Sequence, residues 1–223
     1  MYTVILPSGT EAEIRELTGR EEELLTNERL VRKGEAINKV FENCVLRIGE
    51  KTDITATDVL DLLAGDRLAL LIELRKVSLG SDLDLNLTCT NPACGHEQVI
   101  AVDLGQLPVR PYPSERDFSV VLPSQTRITF GLLDGHAEKR LAAIAEPTVS
   151  TALMMRIRTI NDQPPTKKTL ADLSMRDRVA LRREMQAVDG GVDTSIDHAC
   201  EACGTRLTTR VEVEPDFLFP NLR

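Results

Sequence analysis

The sequence predicts an α+β protein made of two tandem, pseudo-symmetric repeats, each a β-hairpin, a set of helices and a second hairpin that carries cysteines. Three observations predict it. Val4-Ile-Leu-Pro-Ser-Gly-Thr10 returns as Val120-Val-Leu-Pro-Ser-Gln-Thr126, 116 positions on, and Leu17, Gly19, Glu22 and Leu25 return as Leu133, Gly135, Glu138 and Leu141. At an offset of 111, Asp66-Arg67, Ala69-Leu70, Glu73, Val77, Gly80, Asp82 and Cys89 return as Asp177-Arg178, Ala180-Leu181, Glu184, Val188, Gly191, Asp193 and Cys200. Four of the five cysteines form two close pairs, Cys89 with Cys94 and Cys200 with Cys203, one pair per copy. A register kept from a helix through a turn into a cysteine points to internal duplication.

The domain reading is a first repeat over 1–107, a Pro-rich linker over 108–117 and a second repeat over 118–223. Each copy opens with a hairpin, Tyr2–Leu6 to Glu11–Leu17 and Phe118–Leu122 to Arg127–Leu132, turned at Pro-Ser-Gly/Gln-Thr. Helices follow over Gly19–Asn27 and Gly34–Ile48, with Thr18 as N-cap and Glu21, Glu22 and Glu23 in a solvated first turn. Ala137–Ala145 and Thr151–Ile157 are their counterparts. Further helices run over Val59–Val77, capped by Thr57, and Arg176–Val188, capped by Ser174, and stop at Gly80 and Gly190-Gly191. The linker, Leu107-Pro-Val-Arg-Pro-Tyr-Pro-Ser114, holds three prolines and reads as an extended spacer.

Each cysteine pair ends in Cys-Gly and is flanked by strand-forming residues, Leu83–Leu87, Val99–Val102 and Leu207–Val213. Glycine after the second cysteine supplies the positive φ of a metal knuckle. Two knuckles at hairpin tips make a zinc ribbon, so Cys89, Cys94, Cys200 and Cys203 are read as four thiolate ligands of one Zn shared between the copies. Four protein ligands close the coordination shell, which makes the site structural. Disulfides are disfavoured without a secretion signal, and a redox Cys-x-x-Cys belongs at a helix start. An iron–sulfur cluster takes the same ligands, though hairpins favour zinc. His96 and His198 adjoin the pairs as neighbours rather than ligands; His136 carries no signal; Cys44 reads as a small buried side chain.

Of 223 residues, 42% are hydrophobic, 28% charged and 3% aromatic, with a net charge of -8. The composition is that of a soluble globular chain with an aliphatic core. The acidic balance argues against nucleic acid and anionic membranes. No apolar run approaches the roughly 20 residues of a membrane helix, and the start lacks a signal-peptide pattern. No phosphate loop, dinucleotide fingerprint, nucleophile elbow or zincin motif occurs. The basic residues Lys167, Lys168, Arg176, Arg178, Arg182 and Arg183 form a solvated face or a docking patch. The end, Phe217-Leu-Phe-Pro-Asn-Leu-Arg223, packs on the core or inserts into a neighbouring subunit.

Leu6-Pro-Ser-Gly-Thr10, Arg15-Glu-Leu-Thr-Gly-Arg-Glu-Glu-Glu-Leu-Leu-Thr-Asn27, Asp66-Arg-Leu-Ala-Leu-Leu-Ile-Glu-Leu-Arg75 and Cys89–Gly95 together resemble the bacteriophage contractile-tail baseplate family, in particular T-even-like hub and hub-assembly proteins. The resemblance covers roughly residues 4–105, and the first cysteine spacer is longer than usual. It implies a non-enzymatic structural or assembly component of a contractile tail, or of a related injection particle. The implied partners are other baseplate and hub proteins, with no small-molecule substrate. The implied location is host cytoplasm during assembly or the virion tail baseplate. The alternative is a cytoplasmic zinc-ribbon adaptor for nucleic acid or the transcription machinery.

Overall fold

The Pro-Ser-Gly-Thr turn closes on itself, with the Leu6 amide bonded to the Thr10 carbonyl at 2.9 Å and Gly9 at φ 83°. It joins β1 (Tyr2–Ile5) to β2 (Glu11–Ile14) in antiparallel register, Tyr2 opposite Ile14. The computed structural model describes residues 1–213 and 215–218. Helices α1 (Gly19–Thr26), α2 (Glu28–Arg32) and α3 (Ala36–Cys44) follow, and then β3 (Val45–Ile48) adds a third strand beside β2. Next come α4 (Ala56–Asp61), α5 (Ala64–Leu79) and the hairpin β4 (Asp82–Thr88) with β5 (Glu97–Asp103).

After the short strand β6 (Val109–Arg110), β7 (Asp117–Val121) and β8 (Arg127–Gly131) form a third hairpin. Helices α6 (Gly135–Ala142) and α7 (Val149–Met154) lead to β9 (Ile157–Ile160), which pairs with β8. Then come α8 (Lys167–Ala171), α9 (Met175–Val188), β10 (Gly191–Val192), the hairpin β11 (Ser195–Ala199) with β12 (Arg206–Arg210), and a last turn of helix, α10 (Pro215–Leu218).

The same main-chain hydrogen bonds occur in both halves. Leu122 bonds to Thr126 as Leu6 does to Thr10, Gly131 to Arg156 as Arg15 does to Cys44, and Ile160 to Gln163 as Ile48 does to Lys51. The ladder slips at Glu13/Ile14 and at Thr129/Phe130. Asp66 accepts from the Ser8 amide at 2.8 Å, and Asp177 from the Ser124 amide at 3.1 Å.

Several expected boundaries are corrected. The helix expected over 34–48 ends at Cys44, because Val45–Ile48 pair with β2, and Ile157, expected to end a helix, instead opens the strand Ile157–Ile160. β-branched residues beside an open sheet edge gain more from the ladder than from another helical turn. The expected single helix over 59–77 is two. Leu62 and Leu63 are extended and bond across to the other half, Gly135 amide to Leu62 carbonyl at 3.0 Å and Ala64 amide to Leu133 carbonyl at 2.9 Å. The first cap is Thr55, not Thr57, in a capping box with Asp58. Thr18 and Ser174 cap as expected.

The Pro-rich segment is tied to the elements around it. Its Val109 and Arg110 pair with β10, and the Tyr112 hydroxyl accepts the Gly65 amide at 2.9 Å. A Cβ on Gly65 would stand 2.6 Å from the Gly190 carbonyl, so only glycine lets these segments touch.

One aliphatic core fills the first half, around Ile14, Val40, Phe41, Leu70 and Leu74, and a second fills the other, around Ile128, Phe130, Leu170 and Leu181. Phe217 and Leu218 of α10 return to the first core, where Arg75 donates to the Phe217 carbonyl at 2.7 Å. Residues Phe219–Arg223 of the expected docking tail lie outside the described residues. The halves also meet through Arg67, 7% exposed, which donates to Asn38 Oδ1 (2.8 Å) and the Val59 carbonyl (2.9 Å) in its own half and to Glu138 (2.6 Å) in the other.

Candidate metal centre

Two tight turns build the site. In the first, Cys89 directly follows β4, its amide bonds to the His96 carbonyl at 2.8 Å, and the Cys94 amide bonds to the Asn91 carbonyl at 2.9 Å. In the second, the Cys200 amide bonds to Thr205 at 2.9 Å and the Gly204 amide to the Cys200 carbonyl at 2.8 Å. Gly95 and Gly204 sit at φ 58° and 71°, the left-handed region that glycine enters without strain. The four-residue spacer of the first pair is absorbed by an Asx turn, Asn91 Oδ1 accepting the Ala93 amide at 3.0 Å.

The turns face each other. Cys89 Sγ lies 3.6 Å from Cys203 Sγ and Cys94 Sγ lies 3.9 Å from Cys200 Sγ, and all four sulfurs fall within 4.8 Å of one another. A tetrahedron with metal–sulfur bonds of about 2.3 Å has edges of about 3.8 Å. The quartet therefore has the dimensions of a four-thiolate metal shell and can hold a metal ion. A disulfide needs sulfurs at about 2.05 Å, and all five cysteines are free. Cys89 and Cys200 are buried against Leu207, while Cys203 faces solvent.

The surroundings pull the thiols in opposite directions. Hydrogen bonds with Thr205 draw the Cys203 thiol down to about 6. The Asn91 amide pulls Cys89 down too, but burial and the three neighbouring sulfurs outweigh it and raise that thiol to about 12. Four thiolates at this spacing repel unless a cation lies among them, and a dication deprotonates the thiols it binds.

His96 is exposed and His198 lies within β11; neither joins the quartet. Cys44 is fully buried and its thiol is pushed up to about 12 by burial. Two residues make contacts that the sequence does not announce. Glu21, expected in a solvated helix start, is fully buried: it completes the Thr18 capping box and accepts Arg15 at 2.8 Å. His136 is 2.9 Å from Asp61, a contact between the halves. The residues that lock the halves, Arg67 and Glu138, were visible only as repeat matches; a charged residue inside an otherwise apolar helical face, as Arg67 is in Leu62–Leu74, was the available signal.

The family model for the T4 bacteriophage base plate protein matches residues 1–205 of the 223. The chain belongs to that family. The match spans both halves and both cysteine turns, well beyond the first-half resemblance legible in the sequence. Neither the curated proteins nor the solved structures give a match. Membership in a baseplate family supports a structural role among other baseplate proteins. Among the described residues no helix is long and apolar enough to cross a membrane.

Proposed function

We propose that this protein is a non-enzymatic structural or assembly component of a contractile-tail baseplate or hub, made in the host cytoplasm and working through contacts with other baseplate proteins. Its halves are two copies of one unit, stapled by a single zinc bound to Cys89, Cys94, Cys200 and Cys203. Family membership over residues 1–205 carries the baseplate reading. The staple is supported by the sulfur quartet, to which each half brings two ligands. Swapping the copies exchanges Cys89 with Cys200 and Cys94 with Cys203, and so maps the 3.6 Å sulfur pair onto the 3.9 Å pair. A pseudo-twofold axis through the metal accounts for that, and the shared hydrogen-bond pattern of the halves supports the duplication.

With four protein ligands the metal has no open position for substrate, so it supplies stability rather than chemistry. Co-expression with hub and wedge subunits tests the role: a stable complex is expected, and failure to join any of them in pull-downs and size-exclusion chromatography overturns it. Metal analysis of the purified chain tests the staple. One zinc per chain is expected; none or two refutes it.

A further inference from the structure

The two cysteine hairpins leave a slot between them. They are tied at the cysteine end, where Gln98 Oε1 accepts the Glu201 amide at 3.0 Å, and again where the Asp193 amide bonds to the Pro108 carbonyl at 2.8 Å. Between these ties no ladder joins β5 to β11 among the described residues; each pairs with the other strand of its own hairpin. A cleft of about 450 Å³ lies there, lined by every residue from Val99 to Asp103 and from Ser195 to His198, and by none of β4 or β12. Successive residues of a strand point to opposite faces, so a cavity bordered by an unbroken run lies along the strand's edge. Each strand therefore turns its unpaired main-chain edge toward the slot.

Free strand edges are ordinarily blunted by lysine, proline or a bulge. β5, Glu97-Gln-Val-Ile-Ala-Val-Asp103, has none of these, and its register with β4 runs without a shift. The middle of its outward face is apolar, with Val99 59% exposed and Ala101 exposed beside it. In the opposite wall, His198 has its buried Nε2 without a hydrogen-bond partner among the described residues. Asp103 and Glu201 stand at opposite ends of the slot, and among the described residues neither has a cation within ion-pair distance. We propose that the slot takes an extended segment of a partner protein, which adds its main chain to the edge of β5 and carries a basic residue at each end of a short strand-forming run. The proposal rests on the baseplate-assembly reading for the partner's context, while its geometry stands alone. Main-chain hydrogen bonds supply the affinity, and the two carboxylates select the ends.

The probe is a labelled seven-residue peptide in which valine alternates with threonine between two lysines, titrated into the full-length protein. Saturable binding is expected, weakened by salt, with amide hydrogen exchange in β5 slowed at least tenfold at saturation. The same peptide N-methylated at its valines and threonines keeps every side chain but loses its main-chain donors, and should not bind. Val99→Lys and Glu201→Lys, both at exposed positions, each weaken binding at least tenfold. Glu201 lies outside the strands, so its substitution separates lost recognition from a broken hairpin. No saturable binding, or equal binding of the N-methylated peptide, overturns the strand addition, and indifference to both substitutions overturns the slot. Self-association of the chain that Val99→Lys abolishes would make a second copy the occupant and overturn the partner. A chain that joins hub subunits yet ignores the peptide fails this proposal alone, and one that binds the peptide but joins no baseplate protein fails the assembly reading alone.

Discussion

Replacing Arg67 by alanine removes a guanidinium that is 7% exposed, lies 5.1 Å over the Phe41 ring and donates to three acceptors from three segments. Deleting one partner of a buried, hydrogen-bonded charge costs about 3–5 kcal/mol, because the acceptors stay behind without donors. Glu138 is 38% exposed on its side chain and can rehydrate, which places the loss at the lower end. The cation–π contact adds about 1 kcal/mol. The sum is about 4 kcal/mol, or roughly 10 °C in Tm for a chain of this size. The equivalent Arg178 donates only within its own half, to the Leu170 carbonyl at 2.9 Å and Ser150 at 3.1 Å. Arg178→Ala is expected to cost about half as much. Denaturant unfolding of both variants, with Glu138→Gln to isolate the contact across the halves, is the assay. A loss below about 1 kcal/mol for Arg67→Ala, or equal losses at the two arginines, would refute the view that Arg67 locks the halves.

Cys203→Ser changes an exposed side chain, so loss of the proposed zinc accompanied by a lower Tm reads ligation rather than packing; unchanged metal content removes Cys203 from the proposed ligand set. Burial alone would push the Glu21 carboxyl up, but hydrogen bonds from Arg15, Thr18 and Asn43 hold it at about 2. A depressed folded-state value means stability present above about pH 4.5 and lost as pH falls toward 2, about 3 kcal/mol in all. Glu21→Gln should lower stability at neutral pH and flatten that acid limb in urea melts at pH 2–7; an unchanged slope contradicts it. Gly65→Ala drives a methyl into the Gly190 carbonyl and the Tyr112 hydroxyl. It should cost about 2 kcal/mol, whereas the exposed-face change Gly19→Ala, with nothing within 4 Å, should cost nothing measurable by thermal melting.

What the sequence by itself determined is the set of features whose causes lie within a few residues. Thr18 and Ser174 cap helices through atoms three positions away, Gly95 and Gly204 turn the knuckles through their own φ, and the two hairpin turns close over five residues. The clustering of the four cysteines was legible for the same reason: two short, glycine-ended turns bring two sulfurs each. What only the tertiary structure decided is wherever a partner from far along the chain outweighs a small local preference. Val45–Ile48 leave the helix because β2 offers a ladder, and Leu62-Leu63 break a helix because the Gly135 amide bonds to the Leu62 carbonyl and the Leu133 carbonyl takes the Ala64 amide. Glu21 goes inside because Arg15 and Asn43 meet it there, and α6 packs on α4 and α5 of the other half, where Arg67 pairs with Glu138. Between alternatives separated by a kcal/mol or so, one buried ion pair or two main-chain bonds is enough to choose, and neither is written in the neighbouring residues.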